Sequence, residues 1–222
     1  MRVLVMVLTI GTVFGRVADA QTSPAPPTVE NKGYVEAFAQ SAFGNVTSQA
    51  YGGEVGYTVR KNVQVFVEFG QVKNVAPPEL GAAASLIAGF LAQTQSNVSY
   101  TVKEPVTFVA GGVKYVIPIT ASRLQPYVMG GVGFAKVTKD VTFTVGGTDV
   151  TSQLTTLGVQ LGSDLSGEFN KPMVTLGGGV DWPFWRQIFV GLQFRFSHIG
   201  AEDDATSALN IGRAGASVGI RF

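Results

Sequence analysis

Residues 213–222 read RAGASVGIRF, and two unlike sets of side chains interleave through them. Ala214, Ala216, Val218, Ile220 and Phe222 form one set; Arg213, Gly215, Ser217, Gly219 and Arg221 form the other. A period of two over ten residues describes a strand with two different faces and excludes a helix stripe. The alternation runs to the last residue, where a globular domain usually trails off into a frayed polar tail. IFVGLQFRFS (188–197) repeats the pattern, with Ile188, Val190, Leu192, Phe194 and Phe196 on the apolar face. So does VQVFVEFGQV (63–72), with Val63, Val65, Val67 and Phe69.

Working outward from these stretches gives eight strand segments, at about 33–42, 49–59, 63–72, 106–117, 125–137, 173–183, 188–198 and 208–222. Most hold ten residues or more. Globular strands average about 5–6 residues, whereas a strand tilted across a bilayer needs about 9–11. The connections alternate in length as well. RKN (60–62), PITASRL (118–124) and FWRQ (184–187) are short, while 73–105 and 138–172 are long. Short turns on one side and long loops on the other mark a bacterial transmembrane barrel, with the short turns periplasmic.

Aromatic residues fall at the strand ends. Tyr57, Tyr115, Tyr127, Trp182, Phe184, Trp185 and Phe222 map near the short-turn rim, and Tyr51, Phe69, Phe108 and Phe196 near the other. Two girdles around an apolar band belong to a lipid-facing wall. Glycines inside MGGVGFA (129–135) and LGGGVDW (176–182) would weaken an ordinary sheet but relieve crowding in a small closed barrel. Neither stretch matches a phosphate-binding loop or opens a helix. The expected fold is all-β: an eight-stranded antiparallel up-and-down transmembrane β-barrel over 33–222, with one short helix in a long loop.

Composition narrows the function classes. There is no cysteine and a single histidine, so thiol chemistry is excluded and neither a metal site nor a cofactor is expected. A net charge of +1 offers no footprint for nucleic acid. Arg2, the apolar run Val3 to Phe14 and Ala18-Asp19-Ala20 read as a signal peptide over 1–20, cleaved before Gln21. The Pro-rich segment 21–32, which includes TSPAPPTVENK, reads as an extended tail.

LQPYVMGGVGFAKV (124–137), TLGGGVDWPFWRQIFVGLQFRFSHI (175–199) and the terminal GIRF resemble the outer-membrane β-barrel family of small OmpA/OmpX-type proteins. The resemblance covers about 33–222. It implies a bacterial outer-membrane location among lipid and lipopolysaccharide. It also implies that Phe222 is the C-terminal assembly signal read by periplasmic chaperones and the barrel assembly machinery. A monomer is expected.

Three candidate sites remain. His198 sits in a setting that resembles the outer-membrane lipid A deacylases, whose strand carries His-x-Ser, but position 200 here is glycine. Ser197 points to the opposite face, so no nucleophile and base come within reach and no enzyme is expected. Glu202-Asp203-Asp204 reads as a solvated loop tip. In PPELGAAASLIAGFLAQTQ (77–95), Leu80, Ala84, Ile87 and Leu91 recur at helical spacing after two prolines, giving a helix near 79–94. That helix could lie on the outer leaflet, cover the barrel mouth, meet a partner, or pack on its own loop.

The strand interiors carry Glu36, Glu54, Glu68, Lys114, Asp181, Arg195, Arg213 and Arg221, all opposite the lipid-facing parity. Charges on the lipid side would be costly, so these face inward and pair as a lumen charge network. Pairing Val59 with Val63 across RKN sets Glu54 opposite Glu68. The loop after 198 brings Arg195 close to Arg213. Glu54 and Glu68 are then expected to meet the two arginines. The expected function is a structural or surface-interaction role with the lumen plugged by this polar network. A narrow porin-like channel for small solutes or ions is the alternative, a lipid-acting enzyme a weaker one. A soluble lipocalin-like barrel is disfavoured by the inward charges and the terminal Phe.

Overall fold

The computed structural model describes residues 32–119, 122–160, 162, 165–201 and 208–222. The segment 1–20 expected to be a signal peptide, the expected tail as far as 31 and the acidic run Glu202-Asp203-Asp204 lie outside the described residues.

In chain order the elements are β1 (Gly33–Phe43), β2 (Ser48–Arg60), β3 (Val63–Val72), α1 (Pro78–Leu91), β4 (Val98–Lys103) and β5 (Val106–Val116). There follow β6 (Gln125–Val145), β7 (Thr148–Asp149), a 3-10 turn at Thr151–Gln153, β8 (Gly167–Trp185), β9 (Ile188–Ile199) and β10 (Leu209–Arg221). Eight strands close an antiparallel ring in the order β1, β2, β3, β5, β6, β8, β9, β10 and back to β1. The closing seam runs from Tyr34 opposite Arg221 to Phe43 opposite Gly212. It continues one residue further, because Gly33 and Phe222 exchange both backbone hydrogen bonds at 2.9 Å. The terminal alternation is therefore part of the closure.

Even-numbered residues of β1, β2, β3 and β5 and odd-numbered residues of β6, β8, β9 and β10 turn inward. The outward set includes Val65, Val67, Phe69, Val128, Val132, Phe134, Leu176, Leu192 and Phe194, all exposed. Tyr57, Tyr115, Trp182, Phe184, Trp185 and Phe222 are exposed near the short-turn end, and Tyr51, Phe69 and Phe196 near the other. Two girdle assignments need correction. Tyr127 is 2% exposed and Phe108 4%, and both point into the lumen. Height along the strand places them at the rims, but their parity matches the inward set.

β6 and β8 outrun the expected 125–137 and 173–183. At 21 and 19 residues they rise past their neighbours, and the upper part of β6 pairs with β4 from Val98 opposite Val145 to Lys103 opposite Asp140. Lys139-Asp140 interrupts the hydrophobic texture and resembles a loop start, but alternation resumes in Val141-Thr142-Phe143-Thr144-Val145. α1 opens on Pro78, whose missing amide hydrogen costs nothing at the first helical position. It buries Leu80, Ala84 and Leu91, with Ile87 half-covered. These pack with Val141, Phe143, Leu154 and Leu165 into a small core of their own. Val141 and Phe143 share the inward parity of Ala135 and Val137, so α1 sits on the axis side of the raised sheet, above the barrel mouth.

Within the turn between β2 and β3, Arg60 opposes Val63 and a bulge falls between Thr58 and Arg60. Val59 therefore has no partner in Val63, although the expected register holds from Thr58 opposite Gln64 upward. A bulge tightens local twist, which a two-residue turn at a barrel rim requires. Glycine is needed where the walls crowd. A Cβ at Gly133 would run into the Val109 carbonyl and the Ala110 Cα on β5.

Candidate functional site

Every inward charge expected from the sequence lies inside the barrel, and the interior is layered in three levels. At the short-turn rim, Arg221 of β10 reaches Asp181 of β8 (Nη2 to Oδ2, 3.0 Å) and donates to Gln125 of β6 (2.5 Å). Its guanidinium also lies 4.6 Å from the Phe189 ring centre.

Above this rim, Glu36, Glu54 and Glu68 stand side by side on β1, β2 and β3 as direct cross-strand partners. Like charges so placed repel, and they are tolerated only if cations meet them. Arg195 of β9 meets two of them at once: Nη1 lies 2.6 Å from Glu68 Oε2 and Nη2 lies 2.8 Å from Glu54 Oε2. Glu36 is 3.5 Å from the same Nη2. Arg213 of β10, the cross-strand partner of Arg195, takes the other Glu68 oxygen at 2.8 Å. Lys114 of β5 takes Glu54 Oε1 at 2.5 Å.

Three carboxylates thus meet three cations, and each cation is also seated on an aromatic ring. Lys114 Nζ lies 4.5 Å from both the Tyr34 and Tyr127 ring centres, Arg213 lies 4.4 Å from Phe108, and Arg195 lies 5.4 Å from Phe38. Such seats hold a desolvated cation where water cannot. This explains why Tyr127 and Phe108 face inward. Tyr34 donates its hydroxyl to Glu54, Arg195 donates to Gln193 Oε1 from Nε (3.0 Å) and Nη2 (2.6 Å), and Arg213 donates to Ser197. Reading the sequence for charge alone misses Tyr34, Gln193, Ser197 and Ser217, although each carries the inward parity that identifies the charged members. In a buried network of this kind desolvation offsets much of the Coulomb attraction, whereas removing one partner leaves an uncompensated charge.

The third level is an apolar collar near the long-loop end. Ala42, Ala50, Val72, Val106, Val137, Met173, Ile199 and Leu209 contribute one buried residue from each of the eight strands. The alternation inverts where the collar crosses the wall: the outward neighbours there include Gln49, Gln71, Thr107, Lys136, His198 and Asn210, while the inward set turns apolar.

Beyond the collar, Asn74 fastens the base of the long excursion. Its Oδ1 accepts from the Ala76 and Glu104 amides at 3.0 Å, while its own amide donates to Ser48 Oγ. Glu104 is buried there, and burial pushes its carboxyl above the usual range against the pull of Lys139 and Lys171.

His198 stands on the outward face, its Nδ1 2.8 Å from Asn210 Oδ1, while Ser197 turns into the lumen. The histidine and its neighbouring serine are thus on opposite sides of the wall. Among the described residues, no cluster of three or more potential metal ligands occurs.

Residues 18–222 match the family described as outer membrane protein beta-barrel domain. No curated protein is similar in sequence. Among solved structures, the N-terminal β-barrel domain of Pseudomonas aeruginosa OprF is 19% identical, with 86% of this chain and 98% of that one covered and a TM-score of 0.51. Neisserial surface protein A is 13% identical, covering 86% and 96%, with a TM-score of 0.52. A major outer membrane protein from Thermus thermophilus is 10% identical, covering 86% and 99%, with a TM-score of 0.52. At these identities the structural likeness speaks to the fold.

Proposed function

The chain belongs to the outer-membrane β-barrel family, and on that premise we propose that it is a closed scaffold that holds a folded cap above the membrane. The observation that carries this reading is the Arg195 fork between Glu54 and Glu68. It spans the lumen from β9 to β2 and β3, so the interior is bridged at mid-height. The collar above adds a second seal. An eight-stranded barrel has an interior only side-chain wide, and here the side chains fill it. The cap formed by α1, β4 and the raised end of β6 is what the barrel presents outward. Its exposed helix face carries Leu86, 77% exposed, and Phe90.

Planar-bilayer conductance of the refolded protein is the test. No stepwise conductance is expected from the native chain. Reproducible ion conductance would replace the scaffold with the porin-like channel.

Biogenesis follows the same reading. Phe222 closes the seam on Gly33 and serves as the assembly signal for periplasmic chaperones and the barrel assembly machinery, with outer-membrane lipid and lipopolysaccharide as the surroundings of the finished barrel. Ser197 turns away into the lumen and position 200 is glycine, so the His-x-Ser arrangement of a lipid-acting enzyme is missing at His198.

A further inference from the structure

Each of the three short turns carries a cation and none carries an acid. Arg60 and Lys61 stand between β2 and β3, Arg123 between β5 and β6, and Arg186 between β8 and β9. Lys32, just before β1, adds a cation at the fourth corner, and all five are exposed. Backbone hydrogen bonds join the corners into one rim. Thr58 donates to the Lys32 carbonyl at 2.6 Å, Val116 to that of Asn62 at 2.8 Å, and Arg221 to that of Gln187 at 2.8 Å. Gln125 opposite Asp181 and Gly33 bonded to Phe222 complete the circle.

The rim is single-signed. Among the described residues its one acid is Asp181, which is buried and taken by Arg221. A carboxylate at Phe222 would offset one of the five cations at most. None of the five makes an ion pair or a side-chain hydrogen bond with a described residue. At the long-loop end the signs are mixed: Lys136 pairs with Glu168 at 2.8 Å, Lys103 stands opposite Asp140, and Glu79 and Asp149 are exposed.

Every corner also sets an exposed apolar side chain next to its cation. Val59 precedes Arg60, Leu124 follows Arg123, Trp185 precedes Arg186, and Phe222 is bonded to the residue after Lys32. A rim that met its partner in water would gain nothing from apolar groups at all four corners. At the boundary between acyl chains and headgroups the same mixture fits. Aromatic rings settle there, and long cationic side chains lay their stems on apolar neighbours while their charges reach phosphate. Lysine meets a phosphate as a point charge and arginine as a fork of two donors. Short turns are periplasmic, so the leaflet at this rim is the phospholipid one.

We propose that the short-turn rim is a ring of seats for the phosphates of anionic phospholipid in the periplasmic leaflet. It favours headgroups of the phosphatidylglycerol kind, whose negative charge no amine offsets, over zwitterionic ones. The barrel thereby grips the leaflet opposite the lipopolysaccharide. This goes beyond the closed-scaffold reading and does not depend on whether the lumen conducts.

The chain has two tryptophans, and both, Trp182 and Trp185, are exposed at this rim, so their fluorescence reads its lipid shell without a label. The protein is refolded into phosphatidylcholine vesicles in which a fixed minor fraction is brominated phosphatidylglycerol or, in parallel, brominated phosphatidylcholine. Bromine quenches tryptophan on contact. The anionic lipid is expected to quench as if enriched about fivefold at the rim, the gain that one cation near an anionic surface supplies. The enrichment should fall towards parity in molar salt. Parity is also expected at low salt in the variant carrying Lys32→Gln, Arg60→Gln, Lys61→Gln, Arg123→Gln and Arg186→Gln, once its mobility on an unheated gel shows that it is folded. Equal quenching by the two lipids in the native chain overturns the proposal, as does an enrichment that survives in the variant. Should the variant fail to fold, the salt series on the native chain decides, and an enrichment indifferent to salt overturns the proposal. Equal quenching together with salt-sensitive co-sedimentation on purified peptidoglycan would assign the ring to the cell wall instead.

Discussion

Glu54 and Glu68 face each other as direct partners on β2 and β3, and a single guanidinium, that of Arg195, holds one oxygen of each. Lys114 and Arg213 take the other oxygens, and Arg195 is the one cation the two acids share. That sharing makes the pair a sensitive reporter of the lumen.

Arg195→Ala should leave both carboxylates short of a partner and destabilise the barrel by about 3–5 kcal/mol. Adding Glu68→Ala should recover part of the loss, because it removes one stranded charge. Denaturant unfolding of the two variants and the double variant in detergent measures the coupling. Strictly additive losses would mean that the three groups act independently.

Asn74→Ala should loosen the cap and spare the ring. Asn74 Oδ1 gathers two amides at the base of the excursion, and their loss is expected to cost about 1–3 kcal/mol locally. Limited proteolysis should then cut within 77–103 while the barrel keeps its folded mobility on unheated gels. Simultaneous loss of both would show that cap and ring unfold as one unit.

Glu104 gives a pH dependence above the lipid belt. Its carboxyl is raised by burial, so the folded protein binds this proton more tightly than the unfolded chain does. The ionised form therefore weakens folding as pH rises from the ordinary glutamate range through the raised value. Glu104→Gln should unfold at a higher temperature than the native chain at about pH 8, and the advantage should shrink as pH falls towards the ordinary glutamate value of 4.5. An advantage that grows on acidification would reverse the sign and show that the lysine pairs dominate.

Phe222 deletion should reduce assembly in cells far more than it reduces the stability of protein refolded into detergent. Parallel losses in the two measurements would make Phe222 an anchor at the seam and nothing more.

The register between Glu54 and Glu68 was legible because the two strands meet across a turn too short to allow slippage. Inward charge was legible for a simpler reason: each charged residue falls on the parity opposite the apolar, lipid-facing set. The positions of Tyr127 and Phe108 were not, because aromatic rings serve equally well as interface anchors and as seats for buried cations. Parity would have separated the two uses, whereas height along the strand does not. The cap was also hidden. Strand β4 finds its partner at Asp140–Val145, on the far side of the wall strand β5 in the chain, and no local pattern announces a pairing across an intervening strand.

The continuation of β6 from the wall into the cap has a mechanical consequence. Its 21 residues form one unbroken strand, on the order of 70 Å along the chain, shared by the ring and the cap. A load on the cap passes down β6 without crossing a hinge. In the wall it meets the ladders to β5 and β8, which run alongside the pull, so many hydrogen bonds share the force instead of opening one by one. The cap is moored by shear, and a tug strong enough to strip it must first drag a strand out of the barrel.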